Sequence, residues 1–349
     1  MVLLAVLSSP CASAAEGEGR PSAGRLITRD TRMSIERGLR FLAARQNRNG
    51  SWTDKVGRKV HFQYVGHPAD HVGVTALGGM AFLANGNLPN RGKYADNVKR
   101  ALNFVLDHTG PEGFIAAHNS RMYSHAFAAV FLAEIYGMTQ DRKVREKLKL
   151  AVRLIVRAQN SEGGWRYRPG ATDSDMSITV CQVMALRAAR NAGIQVPKGS
   201  IDAATGYVKK SYRPDVNAFT YQIEDRFMRA QSRHSFALTA CGVATLFGAG
   251  DYDAFEIDDA LRYMVEHRPR AVTAVQSFDY YYGHYYAAQA AFQKGGTYWS
   301  RWYRMMQSEL MLLQSRDGSW RDLVGKNYAT AMACIILQMP FQYLPITER

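Results

Sequence analysis

The chain has no second long apolar run, few cysteines and no proline-rich seam. After its first residues, no stretch approaches the ~18–20 uncharged residues that a membrane span needs, so an integral membrane protein is not expected. Only four cysteines occur in 349 residues. Apart from Cys11 they are odd in number and widely spaced, which excludes a disulfide framework and predicts that Cys181, Cys241 and Cys334 are buried free thiols. With 11 prolines and no Pro/Ser-rich linker, one domain is expected, although the length exceeds that of a usual single core. Acidic residues are also in deficit: 44 Lys and Arg against 30 Asp and Glu leave a net charge of +14. Much of the excess lies in one segment, at Lys143, Arg145, Lys147, Lys149, Arg153 and Arg157. It reads as a solvated basic face, or as an attraction to an anionic polymer or headgroup surface. No nucleic-acid-binding module is recognisable, so nucleic acid is not an expected partner.

What is present is a repeat. The pattern Gln-x-x-x-Gly-x-Trp occurs three times, as Gln46/Gly50/Trp52, Gln159/Gly163/Trp165 and Gln314/Gly318/Trp320. Each copy follows an apolar stretch with helical spacing. Each glycine is expected to end its helix in the left-handed conformation, and each tryptophan to fold back on that helix. The copies lie 113 and 155 residues apart, so the period is a fraction of those gaps. Roughly 50 residues fits, the length of two helices with their connections. Weaker echoes end at Phe114, Phe219 and Phe278, which makes six units.

Within the units, segments charged on one side (29–45, 94–108, 141–159) alternate with segments almost free of charge (72–84, 126–137, 236–250, 328–339). An amphipathic helix faces water, whereas a helix apolar all round must be covered. Six exposed helices alternating with six covered ones predict an all-α fold, an (α/α)6 toroid with two concentric walls.

These repeats resemble those of the terpenoid-cyclase and protein-prenyltransferase toroid family over about residues 30–340. The stretch Gly163-Gly164-Trp165, then Asp173-Ser174-Asp175-Met176-Ser177, then Ala185-Leu186 is similar to the cyclase branch. The resemblance implies that Asp175, with Asp173, stands at the position of the proton donor. Met176 replaces the adjacent aspartate of that motif. Read from the residues alone, Asp173, Ser174 and Asp175 are N-cap residues for a helix beginning near Met176. The prenyltransferase branch implies zinc held by an Asp-x-Cys pair and a later histidine, for which His284 is similarly placed. Cys181 follows Asp175 by six residues, so that pair is absent and neither metal nor cofactor is expected.

Other polar residues fall near the starts of the uncharged helices: Asp70 and His71, Tyr123 and His125, His234, and His284 with Tyr285 and Tyr286. At one mouth of a ring they would form a ligand-binding rim. The expected function is that of a toroid, non-catalytic or of undetermined activity, that binds a ligand or partner. The alternatives are a terpenoid- or lipid-directed enzyme using Asp175, and a polysaccharide lyase-like enzyme. The matching partners are a small apolar ligand, an acidic glycan or a protein.

The opening "MVLLAVLSSPCASAA" reads as the end of a secretory signal with Ala12-Ser13-Ala14 as its cleavage site, although a basic n-region is missing. The expected organisation is a signal at 1–14, a flexible segment at 15–29 and one toroid at 30–345. "LSSPC" is a poor lipobox for Cys11. Protein purified from its native host is therefore expected to begin near Ala15. N-terminal sequencing that finds residues 1–14 intact on cytosolic material would overturn this assignment.

Overall fold

A computed structural model describes residues 26–60, 63–223, 233–270 and 279–344. The expected signal and most of the segment after it lie outside the described residues, as does Phe278. Among the described residues, twelve α-helices alternate between two walls. The outer wall holds α1 (Arg29–Arg45), α3 (Ala95–Asp107), α5 (Arg142–Arg157), α7 (Lys198–Lys210), α9 (Glu256–Glu266) and α11 (Gly296–Leu313). The inner wall holds α2 (Val72–Leu83), α4 (Met122–Thr139), α6 (Met176–Asn191), α8 (Phe236–Ala249), α10 (Tyr280–Lys294) and α12 (Lys326–Gln338). Every residue of α2 is buried, and α8 is buried almost throughout, as expected for helices without a charged face. On α5 only the stripe Val144, Leu148, Ala151, Val152, Leu154 and Ile155 is buried, and its lysines and arginines face outward. Each inner helix packs against the next, and α12 returns to pack on α2 and α1, so the ring closes. The three cysteines Cys181, Cys241 and Cys334 are free and buried.

The repeat residues form one clasp, used three times. Gln46 Nε2 donates to Gly50 O and to Asn97 O of α3, both at 2.9 Å. Gln159 makes the same pair of bonds to Gly163 O and to Ser200 O of α7. Gln314 bonds Gly318 O and Ser34 O of α1, both at 2.9 Å, so the last copy fastens the end of the chain to its beginning. The indole Nε1 of Trp52, Trp165 and Trp320 donates back to Leu42 O, Ile155 O and Leu310 O of the helix just left. Their backbone N–H groups donate forward to the hydroxyls of Thr75, Thr179 and Thr330 on the following inner helix. Each unit is thereby tied to its own outer helix, to its own inner helix and to a neighbouring outer helix.

Two details correct the sequence reading. The glycines are left-handed, with φ near +90°, but they do not cap the helix. The helix ends with an extended Gln46, and Gly50 sits four residues later in a tight turn. A Cβ on Gly50 would lie 2.2 Å from Arg100 O, and one on Gly163 2.3 Å from Ala203 O. Backbone approach therefore forbids a side chain as firmly as the dihedral does. In the second unit Gly113 has the same φ, and the residue in the tryptophan position is Ile115 rather than Phe114. Ile115 N–H donates to His125 Nδ1 at 3.1 Å, so His125 does there what threonine does elsewhere. In the fourth unit Phe219 fills the tryptophan position, with its N–H on Thr239.

One element was not anticipated. Between α1 and α2 the chain makes an antiparallel hairpin, β1 (Thr53–Val60) with β2 (Gln63–Asp70), pairing Thr53 with Asp70 and Gly57 with Gly66. The strands carry only scattered Val and Tyr, too little alternation to stand out in the sequence. Tertiary contact holds the hairpin instead: Lys55 N–H donates to Val324 O at 3.0 Å, ahead of α12.

Trp165 is 1% exposed and anchors the middle clasp. Trp165→Ala is expected to cost on the order of 3–5 kcal/mol in urea denaturation. An unchanged denaturation midpoint would show that the clasp does not depend on the indole.

Candidate functional site at the hairpin-bearing mouth

The axis of the ring is closed partway along by aromatic contacts between opposite helices. Tyr123 of α4 meets Tyr282 of α10 edge to face at 5.9 Å, and Phe127 meets Tyr285 at 6.1 Å. The Tyr286 hydroxyl lies 3.2 Å from Cys181 Sγ. Above these contacts lies the mouth of the ring at the N-terminal ends of the inner helices. Tyr123, Tyr282 and Tyr328 each keep part of their surface open. Each is nevertheless so surrounded that burial raises its hydroxyl pKa well above 10. Partial exposure within dense surroundings makes the three the floor of this mouth, over the closed axis. Tyr64 of the hairpin stands near it, within electrostatic reach of Asp322, Arg121 and Asp54.

One side of the mouth is carboxylic. Asp54 Oδ2 accepts from Tyr328 N–H at 2.8 Å and Oδ1 from Asn327 Nδ2 at 3.2 Å, so the hairpin caps α12, whose own N-cap residue is Gly325. Asp322 accepts from Val324 N–H at 2.8 Å and is partly exposed. Burial pushes the Asp54 carboxyl up to about 7 against the hydrogen bonds that lower it. Burial, aided by the charges of Asp279 and Asp54, pushes Asp322 up to about 7 as well. Asp279 is exposed at the start of α10.

The other side is built around Asp175. Its Oδ1 accepts from Ile178 N–H at 2.9 Å and from the Ser177 hydroxyl, and its Oδ2 accepts from Arg166 Nη1 at 3.0 Å. Arg166 also pairs with Asp173 through Nε at 3.2 Å and reaches the Tyr221 hydroxyl at 3.1 Å. Burial raises the Asp175 pKa, while Ser177, Arg166 and the Ile178 amide oppose the rise. Both oxygens already accept from donors, the arrangement of a helix cap and ion-pair partner. A proton donor instead needs a protonated oxygen turned toward its substrate. The Tyr167 and Tyr221 hydroxyls bond each other, and Tyr123 donates to Ser177 Oγ at 2.6 Å, which joins this side to the floor.

The expected rim is only partly assembled. His71 caps α2, accepting from Val74 N–H, and burial lowers its pKa to about 4. His125 is fully buried in the clasp of the second unit. His284 is buried among Phe236, Tyr280 and Trp302, with Nε2 3.3 Å from Pro269 O. His234 is exposed beside Tyr263. Tyr285 and Tyr286 lie in the packed axis, Tyr123 lies on the floor, and the four histidines do not converge. Asp54, Asp322, Tyr64, Tyr282 and Tyr328 were missed. One signal was available: the first and last tryptophans are followed by aspartate at the second position, Trp52-Thr53-Asp54 and Trp320-Arg321-Asp322. Among the described residues no cluster of His, Cys, Asp and Glu could hold a metal ion, and no helix is long and apolar enough to cross a membrane.

No family model matches the chain, and no curated protein matches it. Solved structures do. Cellobiose 2-epimerase from Bacillus thermoamylovorans superposes with a TM-score of 0.65 at 14% identity, covering 89% of this chain and 98% of that one. A glycoside hydrolase family 76 mannosidase from Bacteroides thetaiotaomicron gives 0.62 at 9% identity, covering 88% and 97%. The type II terpene cyclase MstE from Scytonema gives 0.59 at 12% identity, covering 91% and 100%. At these identities the likeness establishes the fold: the chain is an α/α toroid, as the repeat indicated.

Asp54 and Asp322 have an ordinary pKa of 3.8 and hold their protons to about 7 when folded. Between those values the native state binds more protons than the unfolded chain, so stability falls as pH rises from about 4 to 7. The double variant Asp54→Asn/Asp322→Asn is expected to flatten that fall in chemical denaturation. An equally steep fall in the variant would contradict the assignment.

Proposed function

We propose that the protein is an exported toroid that binds an oligosaccharide across its hairpin-bearing mouth, without cyclase chemistry at Asp175. The observation that carries the reading is the group of partly exposed tyrosines at this mouth, Tyr123, Tyr282 and Tyr328, with Tyr64 of the hairpin beside them. Tyrosine offers an apolar face to the carbon skeleton of a sugar and a hydroxyl to its rim, and the partly exposed Asp322 carboxyl, which keeps its proton up to about 7, can both donate and accept hydrogen bonds. Such a mixture of rings and a few polar groups suits a polyhydroxylated ligand lying across a shallow opening. A terpenoid ligand has less support. The contacts Tyr123–Tyr282 and Phe127–Tyr285 occupy the axis that a long apolar chain would need, and both Asp175 oxygens are engaged. Similar folds serve both chemistries: one solved complex holds α-1,6-mannotriose in a mannanase, and another holds geranylgeranyl dihydroxybenzoate in a terpene cyclase.

Titration calorimetry against a panel of neutral and uronate-containing tetrasaccharides is expected to find at least one ligand. Tyr64→Ala and Tyr328→Ala should each weaken it by roughly tenfold while the circular dichroism stays helical. Failure of every tetrasaccharide to bind would reject the reading. So would cyclic products formed from squalene or geranylgeranyl diphosphate.

A further inference from the structure

This mouth has a cationic side whose charge is only partly answered. Three arginines stand over two tyrosine rings there. The Arg121 guanidinium lies 5.3 Å from the Tyr167 ring centre, and that of Arg233 lies 4.4 Å from the Tyr221 ring centre. Arg166 lies between them, at 5.0 and 5.4 Å from the same two rings. The hydroxyls of Tyr167 and Tyr221 bond each other, so the two platforms are adjacent. Arg166 is matched by Asp173 and Asp175. Among the described residues, Arg121 and Arg233 meet no carboxylate within ion-pair distance. Both precede inner helices, Arg121 directly before α4 and Arg233 three residues before α8, so the positive ends of two helix dipoles add to the same field.

We infer that this side is an anion subsite, and that the oligosaccharide bound at the mouth carries a uronate carboxylate which Arg121 and Arg233 recognise. The inference rests on the oligosaccharide reading above and adds the class of sugar. An arginine stacked on a tyrosine ring keeps its plane fixed and its N–H edge free to point outward, which is the geometry that pairs with a planar carboxylate through two parallel bonds. Asp173 and Asp175 already answer Arg166, which stands between the two, so the repulsion that is left is that of Arg121 and Arg233, and a carboxylate meeting them from outside would relieve it. A neutral sugar would leave it in place. Tyr64, within electrostatic reach of Arg121, ties this subsite to the hairpin side of the mouth.

The test compares three ligands by titration calorimetry: tetragalacturonate, its methyl ester and a neutral mannotetraose. The acid is expected to bind at least tenfold tighter than its ester, a preference that shrinks at high salt. Arg233→Met and Arg121→Met keep the aliphatic packing and remove the charge, and each should bring the acid-to-ester ratio close to one. Arg233 is exposed, so its variant should fold normally. Equal binding of acid and ester, or a preference that survives both substitutions, would overturn the inference and leave the oligosaccharide reading standing. If none of the three ligands binds, both are overturned.

Discussion

The fold depends on a glutamine side chain that bonds two backbone carbonyls at once, one in its own turn and one in a neighbouring outer helix. Outer helices of a toroid meet along exposed edges, where apolar contact is thin and water competes. A half-buried amide donor shared between two carbonyls gives each of the three junctions that carry it a defined position, and the adjacent left-handed glycine lets the two backbones approach closely enough for it to form. The tryptophan then joins the junction to the inner wall by bonding backward to one helix and forward to a threonine on the next. Gln314 makes the same clasp between the last unit and α1, and it closes the ring.

Closure has a consequence for function. With the inner helices side by side, their starts gather at one mouth, and the residues that cap them become a shared surface. Asp175 and Ser235 cap α6 and α8, His71 caps α2, and Asp54 reaches from the hairpin to cap α12. Most polar groups at this mouth therefore have structural work already. What remains for a ligand is the exposed part of three tyrosines, the partly exposed Asp322 carboxyl and two arginines lying over rings. The polyhydroxylated, acidic ligand proposed above would answer each of these groups.

The repeat was legible because its residues act locally: glutamine, glycine and tryptophan fall within seven positions and recur. The alternation of charged and uncharged helices was legible for the same reason. The site was much less so. The floor tyrosines come from three inner helices far apart in sequence, and only ring closure brings Tyr123 and Tyr282 within 5.9 Å. The histidines looked like rim residues because they lie near helix starts. A start fixes height along the axis and not which way a side chain faces, so His125 and His284 turned into the wall. His125 had a readable counterpart all the same, since it lies four residues after the position preceding its helix, as Thr75, Thr179 and Thr239 do in theirs. The hairpin was hidden because its stability comes from α12 rather than from its own pattern.

Amide hydrogen exchange with and without bound tetrasaccharide tests the central claim most directly, because it reports where the ligand sits. The account predicts added protection in the hairpin at 53–70 and in the first turns of α4, α10 and α12, with the C-terminal turns of the inner helices unchanged. Protection confined to the opposite mouth or to the basic face of α5 would contradict it.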